Sequence, residues 1–359
     1  MLMKTFKIIG MMSGTSLDGV DLANCTFQET DGGYTFALGS CETIPYPESW
    51  LNRLKTLPQA SALGYAETHV AYGRYIGLLI KDFINTNQLS ADFVASHGHT
   101  IFHNPDNGYT AQIGDGAAMA MECGLTVVCD FRGSDVAAGG QGAPLVPIGD
   151  ELLFPEYDYC LNLGGFANIS TQKGGKRIAF DISPANIILN FIANKAGESF
   201  DKGGKLAATG KIDAELLDKL NSLDYYKKLP PKSLGREWVE KQIHPLLNNC
   251  TISLQDLSHT FCQHIAIQIA SCVDNIPTKK MLVTGGGAFN TFLVEKIAKN
   301  TAVKLIIPDA KTINYKEALV FAFLGLLRMK ELPNCLASVT GATHDVAGGA
   351  VYLPGLPSI

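Results

Sequence analysis

Three apolar runs in this 359-residue chain end in clustered glycine, and those three points constrain the fold more than anything else in the sequence. Lys7-Ile8-Ile9-Gly10-Met11-Met12 runs into the segment Gly14 to Gly19. Tyr159 to Leu163 runs into Gly164-Gly165. Lys280 to Thr284 runs into Gly285-Gly286-Gly287. Glycine adopts backbone angles that other residues avoid, and it leaves N–H groups bare to a ligand. Glycine supplies 36 of the 359 residues, against a usual share of about 7%. The hydrophobic share of 46% and the lack of a Gly-X-Y period exclude collagen and general disorder. The excess therefore reads as built turns.

The flanking pattern says what those turns join. Val20 to Phe27 and Tyr34 to Thr43 read as strands, so the first glycine turn joins two strands of a hairpin rather than the strand and helix of a Walker loop. Ala167 to Gln172 makes a second hairpin with Tyr159 to Leu163, and Arg177 to Phe180 follows as a strand. Ser61 to Asn85 has helical spacing, as do Leu257 to Val273, Asn290 to Asn300 and Lys316 to Met329. Phe93 to Gly98 reads as a strand entering a loop, Gly114-Asp115-Gly116 opens a helix to Cys123, and Lys202 to Lys211 reads as a polar loop. Arg132 to Pro147, rich in Gly, Ala and Pro, is the expected crossover between domains. A glycine hairpin near residue 14 and again near residue 164 suggests two similar α/β domains facing each other.

Composition narrows the function classes. Lys and Arg total 29 and Asp and Glu total 34, a formal net charge of -5, with no basic run, so a nucleic-acid partner is not expected. Local donors still suit a small anionic ligand. Nine cysteines, an odd number with no C-x-x-C pair, fit free thiols in a reducing cytosol. The longest apolar run, Ala318 to Leu327, is far short of the ~20 residues that span a bilayer. A cytoplasmic protein without a membrane partner is the expectation.

Six strings carry candidate chemistry. Met12-Ser13-Gly14-Thr15-Ser16-Leu17-Asp18-Gly19 offers backbone and hydroxyl donors for phosphate oxygens, and Asp18 is the candidate carboxylate for Mg²⁺. The same residues would also serve as a plain hairpin turn. Leu161 to Ser170, with Gly164, Gly165 and Asn168, is the second such turn. Val283 to Asn290, with Gly285, Gly286 and Gly287, lacks the G-x-G-x-x-G spacing of a dinucleotide site. Asp181 ends a strand just before Pro184, where an acid serves either as a general base or as a helix N-cap. Asp130, Arg132 and Asp135 open the crossover; Arg132 suits a carboxylate or phosphate, and the acids suit sugar hydroxyls or a pair with Arg132. His97 and His99, with His103 nearby, fit contact with a polar ligand better than a metal pair. Glu317 stands where the apolar helix is expected to begin.

Taken together these strings resemble the anhydro-N-acetylmuramic acid kinase family, within the actin, sugar-kinase and heat-shock-chaperone superfamily. Met12 to Asp21, Gln112 to Gly116, Asp130 to Pro144, Leu161 to Ser170, Pro231-Lys232-Ser233, Gly235-Arg236-Glu237, Val283 to Asn290 and Val339 to Ala342 occur in the family's order. The resemblance implies two duplicated actin-like (ribonuclease H-like) α/β domains, each with a mixed sheet, and an interdomain cleft. On it, residues 1–134 with 335–359 form the first domain and 135–334 the second.

The resemblance also implies an activity. The family uses ATP and Mg²⁺ to open the 1,6-anhydro ring of anhydro-N-acetylmuramic acid with water and to phosphorylate O6, in cell-wall recycling. Gly14, Thr15, Ser16, Leu17, Asp18, Gly19, Val20 and Asp21 would form the first phosphate loop. Gly164, Gly165 and Asn168 would form the second, and Gly285, Gly286 and Gly287 the adenosine loop. Asp181 would activate water; Asp130, Arg132, Glu317 and His97 would lie on the sugar side. A homodimer is what the family suggests.

The chain departs from the family pattern at several points. Ser183 and Ala185 stand where two glycines follow the catalytic acid, Asn190 where an Asp is common, Phe289 where a His is frequent and His99 where a Gln is. Gly149-Asp150-Glu151 also differs from the usual aromatic and His pairing. A kinase of a different amino sugar and a non-catalytic actin-like nucleotide-binding protein are the alternatives, and the retained Asp181 speaks against the second.

Overall fold

The computed structural model describes residues 4–14, 16–248 and 250–355. Twelve strands are described: β1 (Thr5–Ser13), β2 (Val20–Thr30), β3 (Gly33–Ile44), β4 (Phe93–Asn104), β5 (Tyr109–Ile113), β6 (Thr126–Cys129), β7 (Tyr159–Leu163), β8 (Phe166–Lys173), β9 (Lys176–Pro184), β10 (Lys280–Thr284), β11 (Lys304–Ile306) and β12 (Ala350–Tyr352). They form two sheets. One runs β12-β6-β4-β1-β2-β3, with β5 paired to β4, and the other runs β11-β10-β7-β8-β9.

The two sheets share one topology. In the first, β1, β2 and β3 form an antiparallel meander, while β4 pairs parallel to β1 and β6 parallel to β4. In the second, β7, β8 and β9 form the meander, while β10 pairs parallel to β7 and β11 parallel to β10. This repeated order is the duplicated ribonuclease H-like architecture expected from the two glycine hairpins. Parallel pairs require long crossovers. Helix Ala62–Thr86 supplies one, opened by Ser61, whose side chain accepts from Gly64 N–H. The helices between β9 and β10, including Leu254–Ser271, supply the matching one in the second sheet.

The central strands are buried on both faces, so they read as continuous apolar runs rather than alternating ones. Ile8 and Ile9 are both fully buried although they point to opposite faces. In β7 only Asn162 escapes full burial. Gly10 sits where helix Ala310–Met329 crosses β1: a Cβ there would stand 2.0 Å from the Ala318 carbonyl oxygen.

The chain divides into two compact units, 1–154 with 315–359 and 155–314. The limits expected from sequence, 134/135 and 334/335, fall about twenty residues away from these. The Arg132–Pro147 segment is not the crossover, because it and the following helix Val146–Leu153 stay with the first sheet. Lys316 pairs with Asp150 at 2.7 Å, both nearly buried, and the Phe154 ring lies 5.2 Å from Phe36. These contacts hold the chain to the first unit as far as Phe154. Three further expectations shift. β4 continues through the expected loop to Asn104, Lys202–Gly204 and Lys205–Ala208 are short helices, and the last long helix begins at Ala310. Glu317 therefore lies inside that helix and not at its start.

Candidate functional site

In the first unit the glycine turn caps the β1–β2 hairpin. Leu17 N–H donates to the Gly14 carbonyl at 3.2 Å, with Leu17 at φ +63°. A Cβ on Gly19 would meet the Ile44 carbonyl oxygen at 2.5 Å, so glycine is required for β2 to start beside β3. The side of Gly14 is open apart from Ser16 Oγ at 3.4 Å. Ser16 and Asp18 are exposed, and Thr15 lies outside the described residues. Val20 is buried, and Asp21 accepts a 2.6 Å hydrogen bond from Thr43 Oγ1. Burial pushes the Asp21 carboxyl up, the Thr43 bond opposes this, and the charge of Asp18 adds to the rise.

Ser13, the residue before the turn, joins a buried hydrogen-bond chain. Its hydroxyl meets His99 Nδ1 at 2.8 Å and the Tyr46 hydroxyl at 2.6 Å, and Tyr46 meets the Tyr72 hydroxyl. Burial drives His99 down to a pKa of about 4, so the ring is neutral near pH 7. If Tyr72 starts the chain as donor, each hydroxyl hydrogen has an acceptor and His99 Nδ1 accepts the last one. His97 is neutral as well: burial first, then Arg132, lowers it well below its ordinary value.

Arg132 donates to His97 from Nε at 3.1 Å and Nη2 at 2.9 Å, and to the Gly142 carbonyl from Nη1 at 2.6 Å. Glu317 lies within electrostatic range of both Arg132 and Asp21. Its surroundings push its carboxyl up, and Arg132 opposes that rise. Asp130, at φ +57°, turns Oδ1 to the Gly133 N–H at 3.3 Å. Asp135 is fully buried and holds Gly142 N–H and the Thr340 hydroxyl, each at 2.7 Å. It is a loop clamp and not a ligand-facing acid. The first unit thus gathers Gly14, Ser16 to Asp21, His97, Arg132 and Glu317.

In the second unit four polar residues stand side by side across four strands. Thr284 of β10 pairs with Asn162 of β7, Asn162 with Asn168 of β8, and Asn168 with Asp181 of β9. Cross-strand neighbours share a face of the sheet. Asn162 also lies under two glycine turns: its Nδ2 is 3.3 Å from where a Gly164 Cβ would stand, and its Oδ1 2.5 Å from that of Gly285. Gly285, at φ +79°, would also meet Leu163 backbone atoms at 2.8 and 2.9 Å. The second and third glycine turns therefore pack on one another. Gly165 and Gly286 keep open sides, with the nearest atoms at 4.0 and 3.8 Å. The carbonyls of Gly164 and Gly165 accept from the N–H groups of Asn186, Ala185 and Ile187, which open helix Asn186–Lys195.

Asp181 lies within β9 and does not cap a helix. The residue before helix Asn186–Lys195 is Ala185, which makes no side-chain cap. A bulge at Ile182 interrupts the β8 register, so Ala167 faces Ser183 while Asn168 faces Asp181. Asp181 Oδ2 accepts from Leu234 N–H at 2.9 Å, and its carbonyl accepts from the Tyr225 hydroxyl at 2.7 Å. Burial raises the carboxyl above its ordinary value, with the Leu234 bond opposing. One carboxylate oxygen is anchored, and the group is tuned toward proton acceptance.

Asn162, Tyr46, Tyr72, Tyr225 and Leu234 were not singled out as site residues from sequence. Only Asn162 had a readable signal, as the polar position in an otherwise buried strand. Among the described residues no group of three or more His, Cys, Asp or Glu is placed to hold a metal, and no helix is long and apolar enough to cross a membrane. All nine cysteines are free thiols.

Residues 6–354 match the family model described as anhydro-N-acetylmuramic acid kinase. The anhydro-N-acetylmuramic acid kinase of Pseudomonas syringae pv. tomato is 36% identical over 97% of this chain and 99% of its own. Those of Aliivibrio fischeri and Francisella tularensis subsp. novicida are 36% and 34% identical, each over 96% of this chain and 99% and 97% of their own. Among solved structures, a ligand-bound xylulose kinase from Lactobacillus acidophilus aligns with 12% identity and a TM-score of 0.43, covering 97% of this chain and 94% of its own.

Proposed function

The chain belongs to the anhydro-N-acetylmuramic acid kinase family, and we propose that it uses ATP to phosphorylate O6 of anhydro-N-acetylmuramic acid while water opens the 1,6-anhydro ring. The observation that carries this reading is Asp181: a partly buried carboxylate, one oxygen pinned by Leu234 N–H, next to the second glycine turn in the β8 register.

The residues divide the work. Gly14 to Asp21 presents N–H groups and hydroxyls to phosphate oxygens, and Gly164, Gly165 and Asn168 do the same from the second hairpin. Gly285 to Gly287 let the nucleotide approach the backbone. The open sides of Gly14, Gly165 and Gly286 fit such a ligand. Mg²⁺, when bound with ATP, neutralises phosphate charge, and Asp18 and Asp21 are the acids of that loop suited to hold it. Arg132, Glu317, Asp130 and His97 recognise the sugar, with His97 held against Arg132. Asp181 takes a proton from the water that attacks the anomeric carbon. The C1–O6 bond breaks, and O6 accepts the phosphoryl group from ATP. Phosphoryl transfer needs positioning and charge neutralisation more than covalent help, which suits this residue set. The product is N-acetylmuramic acid 6-phosphate, which belongs to recycling of cell-wall sugars inside the cytoplasm.

Incubation with Mg-ATP and the anhydro sugar in ¹⁸O-labelled water tests the reading. ADP, the 6-phosphate and one solvent oxygen at C1 are expected. ATP binding without ADP release above background would overturn it, and turnover without solvent oxygen at C1 would reduce the enzyme to a plain sugar kinase.

A further inference from the structure

The two open glycines of the second unit have a common border. The atom nearest to a Cβ on Gly286 is Asn186 Nδ2, at 3.8 Å, and the one nearest to a Cβ on Gly165 is Ile187 Cβ, at 4.0 Å. Asn186 and Ile187 are the first two residues of helix Asn186–Lys195, so one helix start stands beside both turns. Asn186 is half-buried there.

Helix formation does not account for an asparagine at this point. Asparagine favours the position before a helix, where its oxygen takes a free N–H of the first turn. That position is Ala185, and Asn186 lies one residue further in. Backbone carbonyls hold the helix start instead: Gly165 accepts from Ala185 and Ile187 at 2.8 and 3.1 Å, and Gly164 accepts from Asn186 at 3.1 Å. The Asn186 side chain reaches the end of β7, where Nδ2 donates to the Leu163 carbonyl at 2.9 Å. A carbonyl oxygen only accepts, so the amide is set with Nδ2 toward Leu163. Oδ1 stands 3.2 Å from where a Gly287 Cβ would be, and the Leu163 carbonyl oxygen 3.0 Å from the same point. Asn186 is tied to the second turn by its backbone N–H and to the strand end before that turn by its side chain. The same amide lies against Gly286 and Gly287 of the third turn.

We propose that Asn186 is a positioning residue that holds the second and third glycine turns at the spacing one ATP needs to engage both. The proposal rests on the reading of these turns as ATP-binding. A ligand that touches two places at once gains from their alignment, whereas a ligand confined to one does not. Alanine at 186 is a good helix former and keeps the backbone bond to Gly164, so it removes the link to Leu163 and little else.

Ligand-observed NMR titration of the intact chain tests this with three probes: Mg-ATP, adenosine alone for the third turn, and Mg-tripolyphosphate for the phosphate turns. Asn186→Ala is expected to raise the Kd for Mg-ATP about tenfold, the scale of one lost hydrogen bond, and to leave those of adenosine and tripolyphosphate within about twofold. Asn186→Ser, with a side chain too short to reach Leu163, should repeat the pattern. Leu216→Ala, in the core of the same unit, should lower Tm and leave all three Kd values unchanged. Equal losses for Mg-ATP and for either fragment, or an unchanged Kd for Mg-ATP in both variants, would overturn the spacing role alone. The same ATP loss in Leu216→Ala at a matching Tm, or failure of both Asn186 variants to fold, would do so too, since the link would then serve stability. A wild type that binds no Mg-ATP would overturn the reading of the turns, and the spacing role with it.

Discussion

Arg132 gives two N–H groups to a single acceptor, His97 Nε2, at 3.1 and 2.9 Å. That fixes the imidazole as neutral, with its proton on Nδ1 beside the Gly98 carbonyl at 3.1 Å. A lysine has no planar fork to hold Nε2 and the Gly142 carbonyl together. Arg132→Lys should therefore cost about 1.5–3 kcal/mol in kcat/KM for the sugar. In the wild type, ¹⁵N NMR should find no His97 titration between about pH 6 and 8, because its pKa lies well below the ordinary value. A wild-type His97 that titrates in this window would contradict the pairing.

Asp181→Asn keeps the shape of the side chain and removes the proposed base. Turnover should fall by about 10²–10⁴ with ATP affinity retained. The base works deprotonated, and burial raises its pKa. In the wild type, kcat/KM should therefore decline as pH falls through a value above the ordinary 3.8. An acid limb at or below 3.8 would remove Asp181 from the role.

Two adjacent glycines of the third turn should behave differently. Gly285 combines φ +79° with atoms at 2.5–2.9 Å from a Cβ, whereas at Gly286 the nearest atom is 3.8 Å away. Gly285→Ala should lose about 1–3 kcal/mol of stability through strain and overpacking, while Gly286→Ala should fold like the wild type. Urea unfolding measures the first difference. Nucleotide titration reads whether the open side of Gly286 faces ATP: if it does, Gly286→Ala binds ATP more weakly despite its intact fold.

His99 should make the protein acid-sensitive. Unfolded, the ring binds a proton near pH 6.5; folded, only near pH 4. Between these values the unfolded state holds more protons, so stability falls as pH drops from 6.5 toward 4. The loss is on the order of 3 kcal/mol across that window. His99→Gln should flatten this part of the urea-midpoint profile against pH. An unchanged slope would place the acid sensitivity elsewhere.

The duplicated α/β frame was legible because its signals are local. Apolar runs that end in Gly14, Gly164 and Gly285 mark strand ends, and Ser61 and Asp115 announce helix starts through their own caps. The three glycine turns and the acid on β9 were legible for the same reason, as short local strings. The domain limits were not, since a Gly- and Ala-rich segment looks like a linker until packing is known. The buried Lys316–Asp150 pair and the Phe36–Phe154 contact join residues far apart in sequence, and they decide where the first unit ends.

By itself the sequence determined the kinds of groups present: glycine turns, an acid on a strand, an arginine and neutral-range histidines. Only the tertiary structure decided their states. His97 and His99 are neutral because burial withdraws water from the charged form, and Asp181 is held by Tyr225 and Leu234, which reach it from 44 and 53 residues away. Protonation and direction depend on what surrounds a group in space, and that neighbourhood is written nowhere in the residues beside it.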